Sequence, residues 1–146
     1  MAALPDPLIL ACPTCAARNR VARSRLAEGR CGKCRSPLFA GRPVELTSEN
    51  FDRHAGSDLP LLVDFWTSWC GPCRQMAPVF EAAAGALEPD FRVGKLDTEA
   101  QQAIAARYAV QAIPTLILFR NGGEIARTMG AMPLQALVGW ARQAGG

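Results

Sequence analysis

The stretch Leu61-Leu-Val-Asp-Phe-Trp-Thr-Ser-Trp-Cys-Gly-Pro-Cys73 decides the fold of this chain. Its first six residues are mostly apolar, which predicts a central strand buried on both faces. A stretch compatible with a helix follows, from Cys73 to about Leu87, and Pro78 inside it predicts a kink. Cys70 and Cys73 therefore lie between a predicted buried strand and a predicted helix.

The spacing of these two cysteines suits thiol–disulfide chemistry. Two residues three apart at the start of a helix lie close together, and a disulfide needs Cα atoms within about 7 Å. The N-terminus of a helix stabilises a thiolate through its dipole and its free N–H groups. We therefore predict Cys70 as the attacking nucleophile and Cys73 as the thiol that resolves the mixed disulfide. Pro72, with no N–H and a preset φ, suits the first turn.

The residues around this stretch predict an α/β domain. Val44–Leu46 predicts a short strand, and Thr47-Ser48 predicts the start of a helix that runs to about Ala55. The order β-α-β-α-β-α-β-β-α implies a sheet covered by helices. The remaining predicted strands are Phe91–Leu96, Thr115–Phe119 and Glu124–Met129, and the remaining helices are Glu99–Tyr108 and one that starts near Pro133.

Asp64 is a carboxylic acid within the apolar strand. Burial of a lone carboxylate is costly unless the group is neutral or paired, so we expect a raised pKa. Such a group suits general acid–base work on Cys73. Trp69 is expected to be partly exposed beside the thiols. His54, the single histidine, lies in a polar helix and is expected at the surface.

A bare Cys-x-x-Cys would also fit half a metal site or two buried thiols. From about residue 44 to its end, however, the chain resembles the thioredoxin family through Val63–Trp66, Trp69–Cys73 and Ile113-Pro114-Thr115. The resemblance implies a thioredoxin fold, in which helices flank a central mixed sheet, and protein-disulfide reductase activity. One departure is Thr67-Ser68, where many relatives have alanine and another residue.

The resemblance also implies roles for individual residues. Asp64 matches the buried acid that handles protons beneath the disulfide, and Lys95 matches the lysine near that acid, although Lys95 alone would fit an ordinary strand-end lysine. Gly122 and Gly130 match glycines that leave room for a docked partner. The implied catalytic-site residues are Asp64, Trp69, Cys70, Gly71, Pro72, Cys73, Lys95 and Pro114, with Pro114 in a cis-proline turn.

Two further Cys-x-x-Cys pairs lie near the N-terminus, and 15 residues separate them. This spacing is typical of zinc sites built from two knuckles. Residues 10–36 are poor in large apolar side chains, so we expect that they cannot build a core of their own and that a metal holds them together. The pattern predicts one Zn²⁺, structural or regulatory, bound by four thiolates whose pKa values the surrounding arginines and lysines lower. The predicted ligands are Cys12, Cys15, Cys31 and Cys34.

Three alternatives for these cysteines stay open from the residues alone. Two structural disulfides would use all four thiols, although a reducing cytosol disfavours them. Iron in a rubredoxin-like site uses similar knuckles. The five arginines within residues 18–30 would permit a nucleic-acid patch, but no aromatic residues are interleaved with them, so we expect no nucleic-acid partner.

The charge distribution predicts two modules. Residues 1–45 hold eight basic and three acidic residues, whereas the rest of the chain holds eight basic and ten acidic ones. We expect a small zinc-ribbon-like module with four cysteine ligands over residues 1–40 and a thioredoxin domain over residues 44–146. Gly41 and Pro43 punctuate the linker between them. Together the two modules resemble a bacterial branch of the family, thioredoxin-2, which has an N-terminal zinc-binding extension.

The resemblance implies a monomer that reduces disulfides in other proteins and is recharged by thioredoxin reductase. No apolar run approaches the roughly 20 residues that span a membrane, and the first residues lack the basic segment of a secretory signal. We therefore expect a cytoplasmic protein with no membrane partner. The rival hypothesis is a thioredoxin-fold binding module whose zinc knuckles sense oxidants, and turnover of a model disulfide would separate the two.

Overall fold

The N-terminal part of the chain folds into a small hairpin module. The computed structural model describes residues 4–145, so the first three residues and Gly146, at the outer ends of the two expected modules, lie outside the described residues. Strands β1 (Leu8–Ala11) and β2 (Arg18–Val21) pair antiparallel, and a 3₁₀ helix, Arg23–Glu28, follows. The sequence analysis predicted none of these elements.

This module has a hydrophobic core, which residues 10–36 build together with leucines outside that window. Leu8 and Leu38 are fully buried, and Leu10 is 1% exposed. They pack with Val21, Leu26, Cys12, Cys31 and Leu59. This core could not be recognised from residues 10–36 alone, because three of its leucines lie outside that range and join the core only in the folded structure.

A five-stranded mixed sheet occupies the rest of the chain, and its elements follow the expected order. The sheet order is β3-β5-β4-β6-β7, in which β4 pairs parallel with β5 and antiparallel with β6. The expected central mixed sheet with flanking helices is therefore confirmed. The elements are β3 (Val44–Glu45), α1 (Phe51–Ala55), β4 (Leu61–Trp66), α2 (Gly71–Leu87), β5 (Arg92–Asp97), α3 (Gln102–Arg107), β6 (Thr115–Arg120), β7 (Gly123–Met129) and α4 (Leu134–Gly145).

Alternation along β4 separates the two hydrophobic cores. Leu62 packs with side chains of α2 and α4 on one face of the sheet. Val63 and Phe65 pack with side chains of α1 and α3 on the other face. Because successive side chains of a strand point to opposite faces, Asp64 shares the α2 face with Leu62. Among residues 4–145, no helix is long and apolar enough to cross a membrane.

His54 is buried, at 1% exposure, so its expected surface position is wrong. It lies in α1 on the same helix face as Phe51 and Ala55, and this face packs toward the sheet. Burial, with a smaller contribution from the charge of Arg92, lowers the pKa of His54 to about 3. The imidazole is therefore neutral at physiological pH.

Gly94 allows β3 to approach β5 closely, and this contact generates a stability prediction. A Cβ atom at Gly94 would lie 2.7 Å from Leu46 Cδ1 and 3.3 Å from the carbonyl oxygen of Val44. We expect Gly94→Ala to lower the free energy of unfolding by about 1–3 kcal/mol in urea denaturation, because the closely packed strands have no room for a methyl group.

Gly85→Ala is the matched control for this prediction. Gly85 lies inside α2, and a Cβ atom there would have nothing within 4 Å. This variant should raise the free energy of unfolding by up to about 1 kcal/mol, because alanine favours a helix interior over glycine. Equal effects of the two substitutions would contradict the close approach at Gly94.

Candidate active site and candidate metal centre

Cys70 and Cys73 lie at the N-terminus of α2 and form a disulfide. Their Cα atoms are 5.2 Å apart. Cys70 is the N-cap residue, and α2 begins at Gly71, slightly earlier than the sequence analysis predicted. The backbone N–H of Cys73 donates to Cys70 Sγ over 3.2 Å. This donor and the helix N-terminus would stabilise a thiolate on Cys70 once the disulfide is reduced.

An apolar rim surrounds the disulfide at the surface. Trp69 is 65% exposed, as expected for a side chain beside the thiols. The Ile113–Pro114 peptide bond is cis, and the Ile113 carbonyl oxygen lies 3.8 Å from Cys70 Sγ. Met129, which the sequence analysis did not single out, is 64% exposed and pairs with Thr115, the residue after Pro114. The fold therefore places apolar side chains where a partner would approach Cys70.

The glycines that the resemblance associated with partner docking lie at opposite ends of β7. The N–H of Gly130 donates to the carbonyl oxygen of Pro114 over 2.9 Å, so Gly130 lies beside the disulfide. The N–H of Gly122 instead donates to the carbonyl oxygen of Ala55. Gly122 lies at the β6–β7 turn, at the other end of β7 from the disulfide.

Asp64 lies beneath the disulfide and is 4% exposed. Burial raises the pKa of its carboxyl group to about 7, although the charge of Lys95 opposes this shift. Within the described part of the chain, Asp64 Oδ1 has no hydrogen-bond partner. The expected raised pKa is therefore found, and its cause is burial.

A cavity of about 140 Å³ joins Asp64 to the deeper cysteine. Cys73, Lys95 and Pro43 line it together with Asp64. Asp64 and Lys95 are register partners on adjacent strands, which explains why both reach this space. The volume is several times the roughly 30 Å³ that one water molecule occupies in the liquid. The cavity is therefore large enough for water that would connect the carboxyl group with Cys73.

The four N-terminal cysteines converge on one point. Their sulfur atoms all lie within 4.8 Å of one another. Cys12 and Cys34 are 3.6 Å apart, as are Cys15 and Cys31, measured between sulfur atoms. A tetrahedral zinc ion with bonds of about 2.3 Å to sulfur separates its ligands by about 3.8 Å. The arrangement therefore fits one such ion.

The two knuckles share one backbone geometry. In the first, the N–H groups of Thr14 and Cys15 donate to Cys12 Sγ over 3.3 and 3.5 Å. In the second, the N–H groups of Lys33 and Cys34 donate to Cys31 Sγ over 3.4 and 3.5 Å. Amide donors of this kind stabilise thiolates, so both turns are arranged for negatively charged sulfur.

Amide groups and burial shift the pKa values of these thiols. The Cys34 amide and the Asn19 side chain lower the pKa of Cys31. Burial raises the pKa of Cys12. The expectation that surrounding arginines and lysines lower the thiol pKa values stays a prediction.

Comparisons with known proteins identify relatives of this chain. A family model described as thioredoxin matches residues 42–143. Thioredoxin C-3 of Corynebacterium nephridii is 41% identical over 138 residues, which cover 93% of this chain and 94% of the relative. That match must include most of the N-terminal module. The putative thioredoxin 2 of Streptomyces coelicolor is 46% identical over 68% of this chain and 76% of its own length.

A solved structure shows the same similarity in three dimensions. A mutant thioredoxin from Halobacterium salinarum superposes with a TM-score of 0.66 and is 30% identical. The superposition covers 74% of this chain and 95% of that one. The similarity therefore extends over almost the whole of a solved thioredoxin.

The buried state of Asp64 generates a prediction about stability and pH. Between about pH 4 and pH 7 the folded protein keeps a proton on Asp64 that the unfolded chain releases, so stability falls as pH rises through this window. Asp64→Asn removes this cost. We expect the variant to be more stable than the parent by up to about 4 kcal/mol above pH 7, with a difference that shrinks toward pH 4.

Denaturant unfolding of both oxidised proteins at pH 5 and pH 8 would measure this difference. Asp52→Asn serves as the control, because the Asp52 side chain is 74% exposed and its replacement should give a small difference at both pH values. A stability gain for Asp64→Asn that is the same at pH 5 and pH 8 would contradict the raised pKa.

Proposed function

The chain belongs to the thioredoxin family and is a disulfide oxidoreductase, and from this premise we propose that it reduces protein disulfides through the Cys70–Cys73 dithiol. The observation that carries the proposal is the position of Cys70 at the N-cap of α2, beneath an exposed apolar rim. There the more accessible sulfur has an amide donor, and a partner can reach it. The deeper sulfur of Cys73 faces the cavity that contains Asp64.

The reaction has two exchange steps. The Cys70 thiolate attacks one sulfur of the target disulfide, which forms a mixed disulfide and releases the other target sulfur as a thiolate. Cys73 then loses its proton and attacks Cys70 Sγ, which releases the second target sulfur and closes the Cys70–Cys73 disulfide. Two electrons pass to the target, and both of its sulfurs end as thiols.

Asp64 is the group that would accept the proton of Cys73. Its pKa of about 7 leaves the carboxyl group partly ionised at neutral pH, so it can take up or return a proton without a large energy cost. Water in the cavity would provide the path between the two groups. Lys95 lines the same cavity, and its charge favours the ionised carboxylate. Trp69, Gly71, Pro72 and Pro114 shape the contact with the target.

The N-terminal module is proposed to hold one Zn²⁺ through Cys12, Cys15, Cys31 and Cys34. The support is the convergence of four sulfurs and the paired amide donors in both knuckles. Four thiolates close the coordination shell, so the ion would have a structural or regulatory role and no open position for chemistry. The module then corresponds to residues 1–40, and the thioredoxin domain to residues 44–146.

The cellular setting follows from the family and is part of the proposal. Members of this family act on disulfide-containing proteins, so we infer that the targets are such proteins and that thioredoxin reductase returns the dithiol to its reduced state. We propose that the protein works as a monomer in the cytoplasm.

Turnover of a model protein disulfide tests the proposed activity. Catalytic amounts of the parent protein should reduce insulin disulfides in the presence of dithiothreitol. Cys70→Ser should abolish turnover, and Cys73→Ser should accumulate a mixed disulfide on Cys70, because no second thiol can release the target. Brief iodoacetamide labelling of the reduced parent should modify Cys70. Preferential labelling of Cys73, or full activity of Cys70→Ser, would overturn the assignment.

Metal content tests the zinc proposal. Elemental analysis should find about one zinc per chain, and the double variant Cys12→Ser/Cys15→Ser should contain none. The metal supplies on the order of 10 kcal/mol to the folding of such modules, so the double variant should show faster hydrogen exchange in residues 1–40. Its disulfide reductase activity should persist. A purified protein without metal, or a double variant without activity, would contradict the two-module interpretation.

A further inference from the structure

Arg92 is a buried cation that the exchange steps above do not use. It begins β5 and is 2% exposed. Its guanidinium group donates to the carbonyl oxygen of Leu38 over 2.8 Å and to that of Ala11 over 3.0 Å. The same group lies 4.5 Å from the ring centre of Phe39. Arg92 of the sheet thus contacts both the hairpin module, at Ala11 next to Cys12, and the segment that leads into the linker.

Glu88 holds the linker at a second point. Its Oε1 accepts the N–H of Gly41 over 2.8 Å, and its Oε2 lies 3.8 Å from Arg92 Nη1. Burial makes this ion pair costly to leave incomplete, since removal of one partner strands the other charge. Residues 38–41 are therefore fixed by two side chains that also contact each other, Arg92 of β5 and Glu88 at the C-terminal end of α2.

The fixed linker leads directly to the cavity beneath the disulfide. Pro43, two residues after Gly41, lines that cavity with Asp64 and Cys73. On the other side of Pro43, the chain enters β3, where Val44 pairs with Gly94. The position of Pro43 is thus set from both ends, by the linker contacts before it and by strand pairing after it.

We propose that Arg92 is a positioning residue for the disulfide reaction, through which the N-terminal module controls the access of water to Asp64. It holds the linker so that Pro43 covers the cavity. This inference rests on the proposed role of Asp64 as the proton acceptor for Cys73. It assigns the N-terminal module a second task besides holding a metal.

The charges around Asp64 allow a test of this arrangement. Lys95 of β5 and Arg74, Glu81 and Cys73 of α2 line the same cavity, and replacement of linker residues changes none of them. If the linker moves away, more water reaches Asp64 and the burial that favours its neutral form decreases. The pKa of Asp64 should then fall from about 7 toward the value of a solvated carboxyl group.

Carbon-13 NMR titration of the Asp64 carboxyl group would measure this effect in the full-length, oxidised, zinc-loaded protein. Pro43→Ala shortens the side chain that covers the cavity. Arg92→Lys keeps the charge but cannot donate in two directions from a planar group. We expect both variants to lower the titration midpoint by at least about half a pH unit, and the pH profile of insulin reduction to move the same way.

Arg107→Lys is the matched control. Arg107 forms an exposed ion pair with Asp52 and does not line the cavity, so its replacement should leave the midpoint unchanged. If Arg92→Lys fails to fold, Phe39→Ala takes its place, because it loosens the linker and retains the buried cation. An unchanged midpoint in Pro43→Ala would overturn the proposal. So would a shift in Pro43→Ala together with no shift in Arg92→Lys or its replacement.

A separate measurement distinguishes this inference from the proposed function. Asp64→Asn should slow the release of a mixed disulfide in rapid-quench experiments, because an amide cannot accept the proton of Cys73. An unchanged release rate would remove the proton role of Asp64. The titration midpoints of the linker variants would still show whether Arg92 and Pro43 limit the access of water.

Discussion

Successive side chains of β4 face opposite sides of the sheet, so each one packs into only one of the two hydrophobic cores. The arrangement of the disulfide site depends on this constraint. Leu62 and Asp64 point toward α2, whereas Val63 and Phe65 point toward α1 and α3. Because α2 begins directly after the loop that follows β4, the first turn of α2, with Cys70 and Cys73, lies above Asp64. The central strand thus fixes a carboxyl group and a disulfide on one side of the sheet, and burial then raises the pKa of the carboxyl group.

The same Cys-x-x-Cys spacing occurs in two different structural settings in this chain. In both N-terminal knuckles, amide groups point at the first cysteine of each pair, and the pairs face each other across a few ångströms. At Cys70 the amide of Cys73 plays a similar part, but a helix follows and no second pair faces it. The surroundings of the motif, rather than its spacing, therefore distinguish the candidate metal centre from the Cys70–Cys73 disulfide.

Features that depend on neighbouring residues could be predicted from the sequence, whereas features that join distant segments could not. The order of strands and helices, the exposed Trp69 and the four clustered cysteines follow from local patterns. The hairpin β1–β2 was missed because its strands are four residues each and its core is completed by Leu38 and Leu59. The contacts of Arg92 could not be predicted, since its two acceptors lie 54 and 81 positions away. The burial of His54 could not be predicted, because it depends on which face of α1 packs against the sheet.

The shared core around Leu59 bears on how the two modules could be inherited or recombined. Leu59 belongs to the segment before β4, yet it is fully buried among side chains of the hairpin module. Asp58, its neighbour, exchanges backbone and side-chain hydrogen bonds with Ile9. A gene that lost its first forty codons would encode a domain in which Leu59 is exposed and the guanidinium group of Arg92 has lost its two carbonyl acceptors. Loss of the N-terminal module would therefore require compensating substitutions in the remaining domain, at Leu59 and Arg92.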